Sequence, residues 1–163
     1  MSIRLALLLA AAAPLAADTP PGAETPTRKE AANKAVALGY IDMVWVQHRP
    51  VEGFSRYVDA KSIHYPGKPG GSNPEGLARF LKGFPNFRYN VKRVFTDGDY
   101  VIVHSLLTGV PGTGELVKSP QPGVEPRPKV GDEVVDIYRI RNGKIVEHWD
   151  TIEAIGGTAE GVF

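Results

Sequence analysis

The chain contains no cysteine. That excludes a disulfide scaffold, a thiolate zinc site and a cysteine nucleophile. It also has almost no net charge: 19 Lys and Arg stand against 18 Asp and Glu. An electrostatic footprint for nucleic acid or an anionic membrane surface is therefore missing. No apolar run is long enough to span a bilayer. What remains is 163 residues with 42% hydrophobic and 23% charged side chains, enough for one globular domain.

The N-terminus has three parts. Met1–Arg4 is short and positive, Leu5–Ala13 is apolar, and Pro14–Ala17 supplies small residues before Asp18. This pattern predicts a signal peptide over 1–17, with cleavage after Ala17 and a periplasmic or extracellular address. Residues 18–26 read as a flexible lead, 27–155 as the domain and 156–163 as a loose tail.

Along the domain, Thr27 and Glu30 form a capping box. The helix that follows carries Ala35, Leu38, Ile41 and Trp45, with Val36, Tyr40 and Val44 widening the stripe. Pro50 can open a second helix that buries Phe54, Tyr57 and Val58. Lys61–Tyr65 reads as a strand. Asn73 and Pro74 start a third helix holding Leu77, Phe80 and Leu81 and ending before Gly83. The period then becomes two: strands are expected over 87–96 and 100–108 around Asp97-Gly98, and over 130–140 and 144–154 around Asn142-Gly143. Between these hairpins, 109–129 holds five prolines and four glycines. It reads as a pocket rim or a tolerated insertion. Helices first and antiparallel strands after them predict an α+β fold: three helices on a curved, mostly antiparallel sheet, enclosing a cone.

The chemistry concentrates in Glu147-His148-Trp149-Asp150. On a strand, His148 and Asp150 share one face. A carboxylate beside an imidazole there demands a wet face or a pocket. Register decides which residues join them. A three-residue turn, Arg141-Asn142-Gly143, sets Asp136 opposite His148 and gathers Val134, Asp136, Tyr138, Val146, His148 and Asp150. A two-residue turn moves Asp136 to the face of Trp149. The first is preferred because it groups the polar residues inside an apolar rim. His64 and His104 also fall on expected strands, where imidazoles can serve acid–base chemistry or simply pack. His48 falls in an interhelical turn and is expected to be exposed.

His64-Tyr65-Pro66, then Asp97 to His104, Val135 to Ile140 and Gly143 to Asp150 occur in that order. In this the chain resembles the SnoaL-like proteins of the nuclear-transport-factor-2-like superfamily, most of all their aldol-condensation-catalysing branch. The resemblance runs from about Lys34 to Ile155. It implies a cone-shaped α+β barrel with a deep pocket, often a homodimer through the outer sheet face, and cofactor-free general acid/base catalysis by an aspartate matching Asp150. A second pocket position on the preceding strand matches Asp136, where the cyclases can carry histidine.

Three functions follow. One is an acid–base enzyme for a small apolar carbonyl compound, with Asp150, His64 and His104 catalytic and Asp136, His148, Tyr138, Tyr40, Trp45 and Phe84 holding substrate. The second is a secreted small-ligand-binding module. The third is a metal site from His148, Asp150, Asp136 and a further histidine. The first is adopted, with no metal, no cofactor and no nucleic-acid partner.

Overall fold

The computed structural model describes residues 25–65, 73–118, 123 and 125–157. The expected leader over 1–17, the lead up to 24 and most of the tail lie outside the described residues.

Among the described residues the α-helices are α1 (Arg28–Ile41), α2 (Pro50–Tyr57) and α3 (Pro74–Gly83), with the first strand lying between α2 and α3. Six strands complete the fold: β1 (Val58–Tyr65), β2 (Arg88–Asp97), β3 (Tyr100–Thr108), β4 (Leu116–Val117), β5 (Arg127–Arg141) and β6 (Lys144–Gly156). The main path runs β1-β6-β5-β3-β2, with short β4 added to β5. All pairs are antiparallel except β1 with β6. The sheet is open rather than a closed barrel, and the helices cover its inner face, where Ala37, Tyr40, Val44, Leu81, Val101, Val103 and Tyr138 form the core.

The capping box is present, with Thr27 accepting from the Glu30 amide and Glu30 reaching back to the Thr27 amide. Glu30 also accepts from the amide of Gly98 at 3.2 Å, while buried Asn33 donates to the Gly98 carbonyl at 2.9 Å. Helix α1 is thereby tied to the β2–β3 turn. That anchor rotates its buried line to Asn33, Ala37, Tyr40, Ile41 and Val44, and leaves Ala35 exposed. After Ile41 the chain widens into a π-helical turn, Asp42–Val46, and His48 follows with φ +55°. A non-glycine residue in that left-handed region is uncommon. His48 is half-buried rather than exposed, its ring edge-on to Phe87. Asn73 caps α3 through the Gly76 amide, with Pro74 in the first turn.

The 109–129 stretch is not wholly irregular. Leu116–Val117 pairs with Arg127 and Pro128, and Lys129 bonds Glu115 and Gly114 through its backbone.

The β5–β6 hairpin corrects the expected register. Its turn has two residues, Asn142 (φ +51°) and Gly143 (φ +72°), with Arg141 opposite Lys144. Two consecutive left-handed residues match the type I′ turn that suits twisted strands. The ladder then slips: Ile140 faces Ile145, but Arg139 faces Glu147. Val146 is the extra residue of a β-bulge. The bulge restores the parity that the shorter turn removed. Asp136 therefore shares the inner face with His148 and Asp150, but lies opposite Asp150, while His148 lies opposite Tyr138.

Candidate active site

Parallel pairing of β1 with β6 places His64 directly beside His148, across 84 residues of chain. Four charged or titratable side chains then form one connected chain on the inner face. Asp136 Oδ1 lies 2.7 Å from His148 Nε2. His148 Nδ1 lies 3.0 Å from His64 Nδ1, and the two rings are perpendicular. His64 Nε2 lies 3.5 Å from Asp150 Oδ1. At the inner end, the Tyr89 hydroxyl donates to Asp136 Oδ2. The Tyr138 ring stacks on His148, centroids 4.6 Å apart, and fixes its plane.

Burial rises along this chain. The side chains of His64 and Asp150 are 31% and 27% exposed, and that of Asp136 is 6% exposed. Burial and the neighbouring His148 push the His64 imidazole below its ordinary pKa, although Asp150 opposes this. Burial first, then the charge of Asp136, raises Tyr89 well above the phenol range. Tyr89 therefore stays a donor.

The proton count is informative. With both carboxylates ionised, the three links need one proton on His148 Nε2, one between the two Nδ1 atoms and one on His64 Nε2. Two neutral imidazoles carry only two side-chain protons. A fully bonded chain therefore takes one proton more than two neutral imidazoles supply. Burial opposes charging of His64, whose Nε2 faces Asp150.

The lowered pKa of His64 has a stability consequence. The unfolded chain binds a proton at His64 more readily than the folded one, so its contribution is intact above the ordinary histidine range. That contribution is lost as pH falls through the lowered folded value. Urea midpoints from about pH 5 to about pH 7.5 are expected to rise with pH in the wild type and to rise less in His64→Gln. Equal slopes would contradict the assignment.

The chain opens on a cavity of about 230 Å³. Its lining includes Tyr40, Trp45, Phe54, Leu77, Tyr89 and Leu107, with His64, Asp136, His148 and Asp150 as the polar side. Asp150, His64, Asp136, His148, Tyr40 and Trp45 are thus brought together at one cavity. Tyr138 supports the site from beneath His148 rather than lining this cavity.

Two expectations are corrected. His104 faces the outer side of the sheet, opposite Val135, where it pairs with Glu133 at 2.5 Å and approaches Arg93 at 3.4 Å. It cannot reach Asp150 through the sheet. Phe84 caps α3 and packs at a tilt on Phe80, centroids 4.8 Å apart, outside the cavity lining. Tyr89 was not foreseen: in a strand beginning Phe87-Arg88-Tyr89 it reads as another core aromatic.

Asp136, His148 and Asp150 each offer one donor atom within 4.8 Å of the others, a spacing that could hold a cation. These side chains already bond one another, Tyr89 and His64, so a cation would have to break those links.

The profile of SnoaL-like polyketide cyclases matches residues 35–159. The chain belongs to this family. Among solved structures, a SnoaL-like protein provisionally assigned as a polyketide cyclase from Jannaschia sp. CCS1 is 21% identical. It aligns with a TM-score of 0.58 over 80% of this chain and 92% of its own. AclR from Streptomyces galilaeus, provisionally assigned as a hydroxylase, is 25% identical, with a TM-score of 0.57 over 76% and 90%. IdmH from Streptomyces antibioticus, provisionally assigned as a polyketide cyclase, is 19% identical, with a TM-score of 0.52 over 74% and 91%. No curated protein matches the chain. SnoaL-like membership agrees with the α+β architecture of helices on an open sheet.

Proposed function

We propose that this SnoaL-like protein is a cofactor-free acid–base enzyme acting on a small, mainly apolar carbonyl compound, by aldol-type cyclisation or isomerisation. The observation that carries this reading is the chain Asp136–His148–His64–Asp150, which ends at an apolar cavity. Asp150 accepts the proton α to the carbonyl. His64 Nε2–H donates to the carbonyl oxygen and gives up its proton as the enol forms. His64 Nδ1 takes a replacement proton from His148 Nδ1. Asp136 holds His148 throughout, and the net charge of the chain and substrate is unchanged. Pairing a carboxylate base with a positioned donor is an effective arrangement for enolisation.

The test is α-proton exchange of a panel of ketones and β-dicarbonyls in deuterated water, followed by NMR with the wild type. Catalysed exchange, unchanged by EDTA, is expected. Exchange lost on chelation favours the metal reading. No exchange, with ligands still raising the melting temperature, favours a binding module.

The three-part N-terminus supports secretion to the periplasm or beyond. N-terminal sequencing of protein recovered from an exporting host is expected to begin at Asp18, and a retained Met1 would refute this.

The outer sheet face supports a homodimer. Tyr65, Trp149, Ile137, Ile102 and Phe95 lie in register as one row across five strands. Strand spacing makes the row about 19 Å long. Phe95 at its end is 56% exposed. Charged pairs flank it, Arg139 with Glu147 on one side and His104 with Glu133 on the other. Two such faces related by a two-fold axis can lay row on row. Trp149→Arg is expected to convert a dimer to a monomer in sedimentation without loss of fold. An unchanged sedimentation coefficient would exclude this face.

A further inference from the structure

We infer a second subsite beside the acid–base cavity, one that takes the anionic tail of the substrate. The inference rests on the cavity reading above and gives the substrate two ends. A groove of about 410 Å³ lies at the start of β2, lined by Trp45, His48, Phe87, Arg88, Tyr89 and Asn90 among others. It shares Trp45 and Tyr89 with the cavity, so these two rings, stacked 5.8 Å apart, are a common wall.

Charge divides the two spaces. Among the described residues, the cavity lining holds two carboxylates and no lysine or arginine. The groove lining holds Arg88 and His48 and no carboxylate. Arg88 is fixed in place: its Nη1 donates to the carbonyls of Phe87 at 2.7 Å and Pro85 at 3.2 Å. No carboxylate among the described residues pairs with it. A guanidinium held by neutral carbonyls keeps its full charge for an outside partner, and its fork suits a carboxylate or phosphate.

The backbone also bends to build this wall. The π-helical turn Asp42–Val46 carries Trp45 to Tyr89 and Phe87, and left-handed His48 sets its ring against Phe87. π-Turns of this kind often mark functional sites. The ligand class that fits both spaces has an uncharged, ring-bearing ketone for the cavity and a carboxylate or phosphate on a short tail for the groove. The acidic cavity repels an anion at the ketone end, which fixes the direction of binding.

The test uses two probes, 5-(4-acetylphenoxy)pentanoate and its methyl ester, titrated calorimetrically into the wild type. The carboxylate is expected to bind about tenfold more tightly than the ester. Arg88→Gln is expected to remove that preference while leaving ester affinity unchanged, and Arg88→Lys to retain part of it. His48→Asn, which tolerates the left-handed backbone, is expected to weaken the carboxylate alone. The melting temperature of Arg88→Gln reports any loss of fold, and Arg88→Lys carries the test if the fold is lost. Equal wild-type affinity for the two probes overturns the subsite while leaving the acid–base cavity standing. Equal weakening of both probes by Arg88→Gln in a folded protein overturns it also, and so does failure of both to bind. A phosphate-tailed analogue that outcompetes the carboxylate supports the subsite and assigns the tail to phosphate.

Discussion

Asp150→Asn is expected to lower catalysed α-proton exchange by about 10²- to 10⁴-fold, the usual worth of a positioned general base. The amide keeps the shape of the carboxylate and removes its basicity. Asp150 is 27% exposed at the cavity and its nearest polar partner is His64. Nothing in the core depends on its charge, so the melting temperature should change little. Ligand affinity should also persist, because the apolar walls are untouched. Comparable exchange by wild type and variant would remove Asp150 from the reaction. Residual exchange in the variant that disappears in Asp150→Asn with His64→Gln would show that the histidine can act alone.

Asp136→Ala acts on stability instead, with an expected loss of about 3–5 kcal/mol. Asp136 is 5% exposed and accepts from both Tyr89 and His148. Removing it leaves His148 Nε2 and the Tyr89 hydroxyl without the partner they share, and their desolvation is no longer compensated. His148 would also lose the contact that orients it toward His64, so exchange should fall too. A double-mutant cycle with His148→Ala separates the pair from its surroundings. The double variant is expected to be little worse than Asp136→Ala alone, because the imidazole left without its partner is gone. Strict additivity of the urea-derived free energies would show that the two side chains are not coupled.

The helix starts were legible because caps are local: Thr27, Pro50 and Asn73-Pro74 each announce a first turn within four residues. The antiparallel hairpins were legible for the same reason. The partner of β1 was not, because parallel pairing with β6 joins segments 84 residues apart and leaves no turn signal between them. His104 was misplaced because β3 is apolar on both faces. Val101, Val103 and Ser105 are buried, yet Ile102 and His104 read as equally good core residues, and Leu106 on their side is buried as well. Alternation cannot choose a face when both sides look alike. Tyr89 was missed because a strand aromatic carries no sign of the carboxylate waiting on another strand. The grouping of Asp136, His148 and Asp150 was found although the turn behind it was read with one residue too many.

The Asn142-Gly143 turn and the Val146 bulge act together like a parity check on β6. Changing either alone by one residue would send His148 and Asp150 to the outer face and bring Trp149 inward. Changing both in opposite senses would return them. Insertions and deletions at this corner are therefore tolerable only in compensating pairs. A related chain can vary its turn length here and still present the same two side chains to the same cavity.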